Sequence, residues 1–198
     1  MRLWLAAVFV LCAAALSPSA ASAQTGSLSH SPVEVVKKFI GLDTKGARLA
    51  STSYGAVAPY IGWGQDPVWG HVVITDGSTI TEDFSKWEVV NTLEVVIPVT
   101  YTVLGSVYFD TGVFLPEPTT EEVRFRLKAV KNRWRIVEPI LPPHVGHKRM
   151  VNEVRQSWLD EPDAAKRQQL SDLQDALKQA KAAATRPKPA TAPAPTKE

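Results

Sequence analysis

The chain has 198 residues, about one domain's worth of length. Hydrophobic side chains make up 44% and charged ones 21%, a globular composition that excludes wholesale disorder. The formal net charge is +2, which gives no general attraction to nucleic acid or anionic membrane, and Cys12 is the only cysteine. Any product lacking residue 12 therefore has no disulfide, no Cys-ligated zinc and no cysteine nucleophile.

Residues 1–23 read as a secretory signal peptide. Arg2 is the charged start, Leu3 to Leu16 is apolar, and Ala21-Ser22-Ala23 is a small-residue cleavage site. The apolar run is shorter than the roughly 20 residues a membrane helix needs. Cys12 follows Leu11, where lipid attachment would want a small residue. Cleavage after Ala23 predicts a secreted or periplasmic product with no membrane span and no cysteine, which suits an oxidising compartment.

In the mature chain, residues 24–158 carry equal numbers of acidic and basic side chains. A capped helix is predicted first. Ser31 caps, Pro32 takes the first helical position and Glu34 completes a capping box. Val33, Val36 and Ile40 follow at helical spacing, and Phe39 widens the stripe. Gly46 ends the segment. A short helix is predicted from Ser53 to about Ala58, bounded by Pro59. Residues 62–70 are a loop. His71–Thr75 and Ser78–Thr81 flank Asp76-Gly77, which predicts a hairpin turn.

From Trp87 the pattern alternates. Val89, Leu93, Val95, Ile97, Val99, Tyr101 and Val103 are expected on one face of a strand. Pro98 argues for an edge position or a bulge. A third stretch, Glu121 to Ala129, turns at Lys131-Asn132 and returns from Arg133 to Ile140. Residues 147–158 read as a helix. Leu170, Leu173 and Leu177 form a narrow stripe, too short for a coiled coil. Residues 185–198, rich in Pro, Ala and Lys, are expected to stay unfolded.

The segment 121–140 can be read in register. A two-residue loop pairs Val130 with Arg133, Leu127 with Ile136, and Phe125 with Glu138. One face then holds Val123, Phe125, Leu127, Ala129, Trp134, Ile136 and Glu138. The other holds Arg124, Arg126, Lys128, Arg133 and Arg135. The basic face reads as a solvated outer surface, partly neutralised by acids such as Glu94. Nucleic-acid binding is not expected, since no aromatic residue interleaves the cations. Glu138 is a lone carboxylate on an apolar face, and a buried acid with a raised pKa is a functional candidate. Pairing with an arginine such as Arg48 is the structural alternative.

Other chemistry has little support. His144 and His147 lie three apart, with no third ligand and no HExxH, so no metal is expected. No phosphate loop, G-x-G-x-x-G or G-x-S-x-G occurs, and no cofactor is implied. Tyr54, Tyr60, Trp63 and Trp69 cluster before the hairpin and suit either a small-molecule pocket or a core plug.

A capped helix, a short helix, a hairpin and long antiparallel strands resemble the nuclear-transport-factor-2-like superfamily. The residues that carry the likeness are Pro32-Val33-Glu34-Val35-Val36, Asp43 with Gly46-Ala47-Arg48-Leu49, and the closing Trp134-Arg135-Ile136. It covers about residues 32–142. It implies a cone-shaped barrel in which helices close the concave face of a bent sheet. Members include ketosteroid isomerase, scytalone dehydratase, polyketide cyclases and secreted domains without known activity. Ketosteroid isomerase needs a general-base carboxylate, a Tyr and a protonated acid. Tyr101, Asp43 and Glu138 are residues of those types, but they do not map onto that pattern one by one. Scytalone dehydratase uses histidines in the pocket, and none of His30, His71, His144 and His147 falls clearly on an apolar strand face.

The expectation is an α+β fold: a curved antiparallel sheet closed by N-terminal helices into a cone-shaped barrel, with a C-terminal helical extension. Residues 24–158 form the domain, 159–184 the extension and 185–198 the tail. The expected function is binding of a small apolar or amphipathic ligand, or of a protein, without catalysis; a homodimer is left open. The alternative is an isomerase, dehydratase or cyclase with candidates Glu138, Asp43 and Tyr101. The expected pocket lining is Tyr54, Trp63, Trp69, Tyr101, Phe125, Trp134 and Ile136.

Overall fold

The computed structural model describes residues 30–185. Residues 1–29, which include the expected signal peptide, and residues 186–198 of the expected tail lie outside the described residues. The fold is α+β: a strongly curled, mixed sheet forming a half-barrel, with four helices among the described residues.

Helix α1 (Pro32–Asp43) starts as its local sequence dictates. Glu34 N–H donates to the Ser31 hydroxyl, and Ser31 N–H donates to the Glu34 carboxylate. Val35, Val36, Phe39 and Ile40 are its buried face. Gly46, at φ +79°, follows in the left-handed conformation. Helix α2 (Ser51–Tyr54) is a single turn, and a 3-10 turn covers Ala58–Tyr60. Pro59 thus lies inside that turn and does not bound a helix.

Six strands follow: β1 (His71–Ile80), β2 (Glu88–Asn91), β3 (Glu94–Tyr108), β4 (Val113–Val130), β5 (Arg133–Glu138) and β6 (His144–Gly146). The order is β5-β4-β3-β1-β6, and β2 pairs with β3 beside β1. The β1–β6 pair is parallel, and the others are antiparallel. Helices α3 (His147–Asp160) and α4 (Ala164–Thr185) complete the described residues.

Two strand expectations are corrected. Asp76-Gly77 is no hairpin turn. His71–Ile80 runs straight through as β1, and the dipeptide sits at a bulge against β3. The two-residue hairpin turn that Asp-Gly favours needs positive φ at the glycine, and Gly77 has none. The long strand from Trp87 is broken at Asn91–Leu93, where β2 folds back on β3. Val95, Ile97, Val99, Tyr101 and Val103 are buried as expected, whereas Val89 and Leu93 stay exposed. Pro98 lies within β3, opposite Arg124. Its carbonyl accepts Thr81 N–H just past the last paired residue of β1. The missing N–H faces that same gap, so the proline costs no ladder bond.

The sheet carries bulges between β1 and β3, between β3 and β4 at Val103/Gly105, and between β4 and β5 at Arg126/Leu127. Each extra residue raises the local twist and bends its strand, which is how long strands curl. Two cores result. On one face, α1 packs with Ile97, Val99, Tyr101, Phe125, Leu127, Trp134 and Ile136. The other holds Val72, Ile74, Leu104, Val107, Phe114 and Val145 with Met150 and Val154 of α3 and Leu173 and Leu177 of α4. The leucine stripe of α4 is therefore spent within the chain.

Candidate functional site

The expected two-residue turn forms. Lys131 and Asn132 have φ of 49° and 63°, and the pairs Val130–Arg133, Ala129–Trp134, Lys128–Arg135 and Leu127–Ile136 hold. The bulge that follows shifts the register, so Arg126 faces Glu138. Glu138 thereby changes face. It is exposed, and its carboxylate lies 3.3 Å from Arg126 Nε on the basic side. The expected buried acid is thus a surface ion-pair partner, and its arginine is Arg126 instead of Arg48.

The chemistry collects elsewhere, at the end of α1. Asp43 is 2% exposed. Its Oδ2 accepts the backbone N–H of His144 at 3.0 Å and faces Arg48 Nη1 at 3.4 Å. Arg48 Nε donates to Asp66 at 2.6 Å, and Nη2 donates to the Leu141 carbonyl at 2.6 Å. Asp66 also accepts Trp63 Nε1–H at 2.8 Å. The guanidinium sits 5.7 Å from the Phe39 ring centre, within cation–π range. All three Arg48 nitrogens are therefore engaged.

Beside this network the Tyr101 ring leans on the His144 imidazole, with centroids 4.5 Å apart. His144 Nδ1 lies 2.9 Å from the Pro142 carbonyl. A carbonyl only accepts, so Nδ1 carries the proton and Nε2 is the bare acceptor. Among the described residues His144 Nε2, Asp43 Oδ1 and the Tyr54 hydroxyl are buried without a hydrogen-bond partner.

Burial sets the titration. Loss of water pushes the Asp43 carboxyl up to about 6, against the pull of Arg48 and the His144 N–H. Loss of water lowers His144 to about 4, so its ring is neutral at pH 7. Burial, helped by the Asp43 charge, holds the Tyr101 phenol far above its ordinary range. The site can therefore exchange one proton on Asp43 near pH 6, beside a neutral imidazole and a neutral phenol.

Of the sequence candidates, Asp43 and Tyr101 come together, and Glu138 does not join them. Tyr101, Phe125, Trp134 and Ile136 are packed into one cluster, with Tyr54 and Trp63 partly buried against it. Trp69 is half-buried outside both cores, its indole N–H lacking a partner among the described residues. Tyr54 lines an outer cleft of about 230 Å³ with Arg48, Gln65 and Asp66. Asp66 is not singled out by the sequence, and His144 is weighed there only as a metal ligand or pocket histidine and set aside. Asp66 lies in the Gly-rich loop, and His144 follows Pro142-Pro143 in a three-residue strand too short to show alternation. His144 and His147 turn to different partners, since His147 Nε2 meets the Leu177 carbonyl at 3.0 Å.

Compared with known proteins, the chain matches no family model, no curated protein and no solved structure.

Proposed function

We infer that this chain is an exported, non-catalytic binding domain of the nuclear-transport-factor-2-like kind, its N-terminal helices closing the bent sheet into a cone-shaped barrel. The observation that carries the non-catalytic reading is the filling of the sheet's α1-facing side. Tyr101, Phe125, Leu127 and Ile136 are each at most 1% exposed there, and Trp134 is 6% exposed. A ligand pocket in that position needs hundreds of Å³ of open space. The Arg48 network supports the same reading, because its donors are spent on the chain's own acceptors. Export rests on the signal-peptide pattern of residues 1–23.

Native mass spectrometry of exported protein tests this. The expected mass is that of residues 24–198 alone. A small molecule retained at unit stoichiometry, and lost on Tyr101→Ala or Asp43→Asn, overturns it.

One observation favours a second reading. Asp43 Oδ1 is buried, unpartnered among the described residues, and on a carboxyl that titrates near 6. This is the state a general base needs. An isomerase, dehydratase or cyclase would then use Asp43 as base and Tyr101 as donor. Turnover that disappears in Asp43→Asn while the fold persists would establish it.

A further inference from the structure

The basic strand face divides in two. Arg126 meets Glu94 at 2.9 Å and Glu138 at 3.3 Å, Lys128 meets Glu94 at 3.5 Å, and Arg124 meets Glu88 at 3.0 Å. That half is neutralised. Lys131, Arg133 and Arg135 have no carboxylate within ion-pair distance among the described residues. They line a cleft of about 570 Å³ together with Gly62, Val130 and Val137, and among the described residues no acidic side chain lines it. Arg135 is fixed there by the carbonyls of Ala58 and Ile61, at 3.1 and 2.9 Å. These bonds orient its guanidinium and leave its charge uncompensated.

One hairpin tip borders this cleft through Val130, and a second lies next to that tip. The β2–β3 tip carries Leu93, 54% exposed, and the β4–β5 tip carries Val130, 43% exposed. The Leu93 carbonyl accepts Ala129 N–H at 2.8 Å, so the tips are neighbours. Val89 and Val90 of the same β2–β3 hairpin are exposed as well. Apolar side chains at adjacent tips beside unpaired cations suit a lipid–water boundary. The cations meet phosphates while the tips enter the acyl edge.

We propose that this end of the sheet, Leu93 and Val130 with Lys131, Arg133 and Arg135, docks on an anionic lipid surface, a headgroup phosphate entering the cleft. A soluble polyanion would satisfy the cations and leave both tips in water; a bilayer takes both. The net charge of the chain conceals the site, because it also counts exposed acids elsewhere in the chain, such as Asp110, Glu117 and Glu121. The proposal deepens the binding-domain reading by naming the partner.

The test is co-sedimentation of residues 24–198 with vesicles of one part phosphatidylglycerol to two parts phosphatidylcholine, against phosphatidylcholine alone. Binding is expected only to the anionic vesicles, and it weakens with salt. Lys131→Gln and Arg133→Gln should each lower the partition coefficient about fivefold. Leu93→Ser with Val130→Ser should lower it about tenfold. Arg124→Gln, at an exposed cation paired with Glu88, should stay within about twofold of wild type. Equal partition to both vesicles, or no loss with the Lys131 and Arg133 variants, overturns the proposal. Loss with those variants but not with Leu93→Ser/Val130→Ser also overturns it, and leaves a soluble-polyanion site. Failure here leaves the non-catalytic reading intact, since that reading falls only through a ligand or turnover on the α1-facing side.

Discussion

Asp43, the last residue of α1, accepts the backbone N–H of His144, 101 residues further along, at 3.0 Å. One carboxylate oxygen thus ties the first helix to the last strand of the sheet. The same oxygen faces Arg48, whose other nitrogens reach Asp66 and Leu141. The bond joins two titrating residues that respond to acid in opposite directions.

Burial raises Asp43 from 3.8 to about 6, so the fold favours its protonated form. Its contribution to stability is fully present below pH 3.8 and lost as pH rises through about 6. His144 is lowered from 6.5 to about 4, so the fold favours its neutral form. Its contribution is fully present above pH 6.5 and lost as pH falls through about 4. Each is worth on the order of 3 kcal/mol, and the two offset. Asp43→Asn should therefore lose stability on acidification more steeply than wild type. His144→Asn, which keeps a donor for the Pro142 carbonyl, should lose it less steeply. Urea melts at several pH values across this range check both, and three parallel profiles would refute the pairing.

Arg48→Met should cost about 3–5 kcal/mol, because Asp43 and Asp66 remain without their cation. Replacing both acids as well, in Asp43→Asn/Arg48→Met/Asp66→Asn, should recover most of that loss. A shift of the urea midpoint reads both values. A single-variant cost near zero would show that the network is open to water.

Gly105 and Gly77 should part sharply. Gly105 sits at the β3–β4 bulge with φ +148°, and an added Cβ would run into the Leu115 carbonyl and Pro116. Gly105→Ala is expected to cost about 3 kcal/mol or more. At Gly77 the space is open and φ is not positive, so Gly77→Ala should stay within about 0.5 kcal/mol. A hairpin turn at Asp76-Gly77 would give the opposite result for Gly77, and calorimetry of the two variants separates the cases.

Leu177 is fully buried in α4, on the second core. Leu177→Ala should cost about 2–5 kcal/mol, the range for a large core cavity. Leu170→Ala, at a half-buried position of the same stripe, should cost clearly less. An unchanged melting temperature for Leu177→Ala would mean that α4 contributes nothing to the domain.

Local rules were legible in the residues themselves. Ser31, Pro32 and Glu34 start α1 because capping involves only neighbours within one turn. Lys131-Asn132 sets the β4–β5 turn, and period-2 alternation marks Tyr101, Phe125, Trp134 and Ile136 as buried, because the pleat alone decides which face a side chain takes. The tertiary structure decided what depends on distant partners. The Arg126/Leu127 bulge is a feature of how β4 and β5 pair, and it moves Glu138 from the apolar face to the basic one. Asp43, Arg48, Asp66 and His144 meet only when α1, the 62–70 loop and β6 are brought together. No periodicity records that meeting, since a buried ion pair is specified by geometry between segments and not by spacing within one. Charge behaves likewise: a balanced count in the sequence becomes one neutralised and one unpaired cationic cluster once the strands are in register.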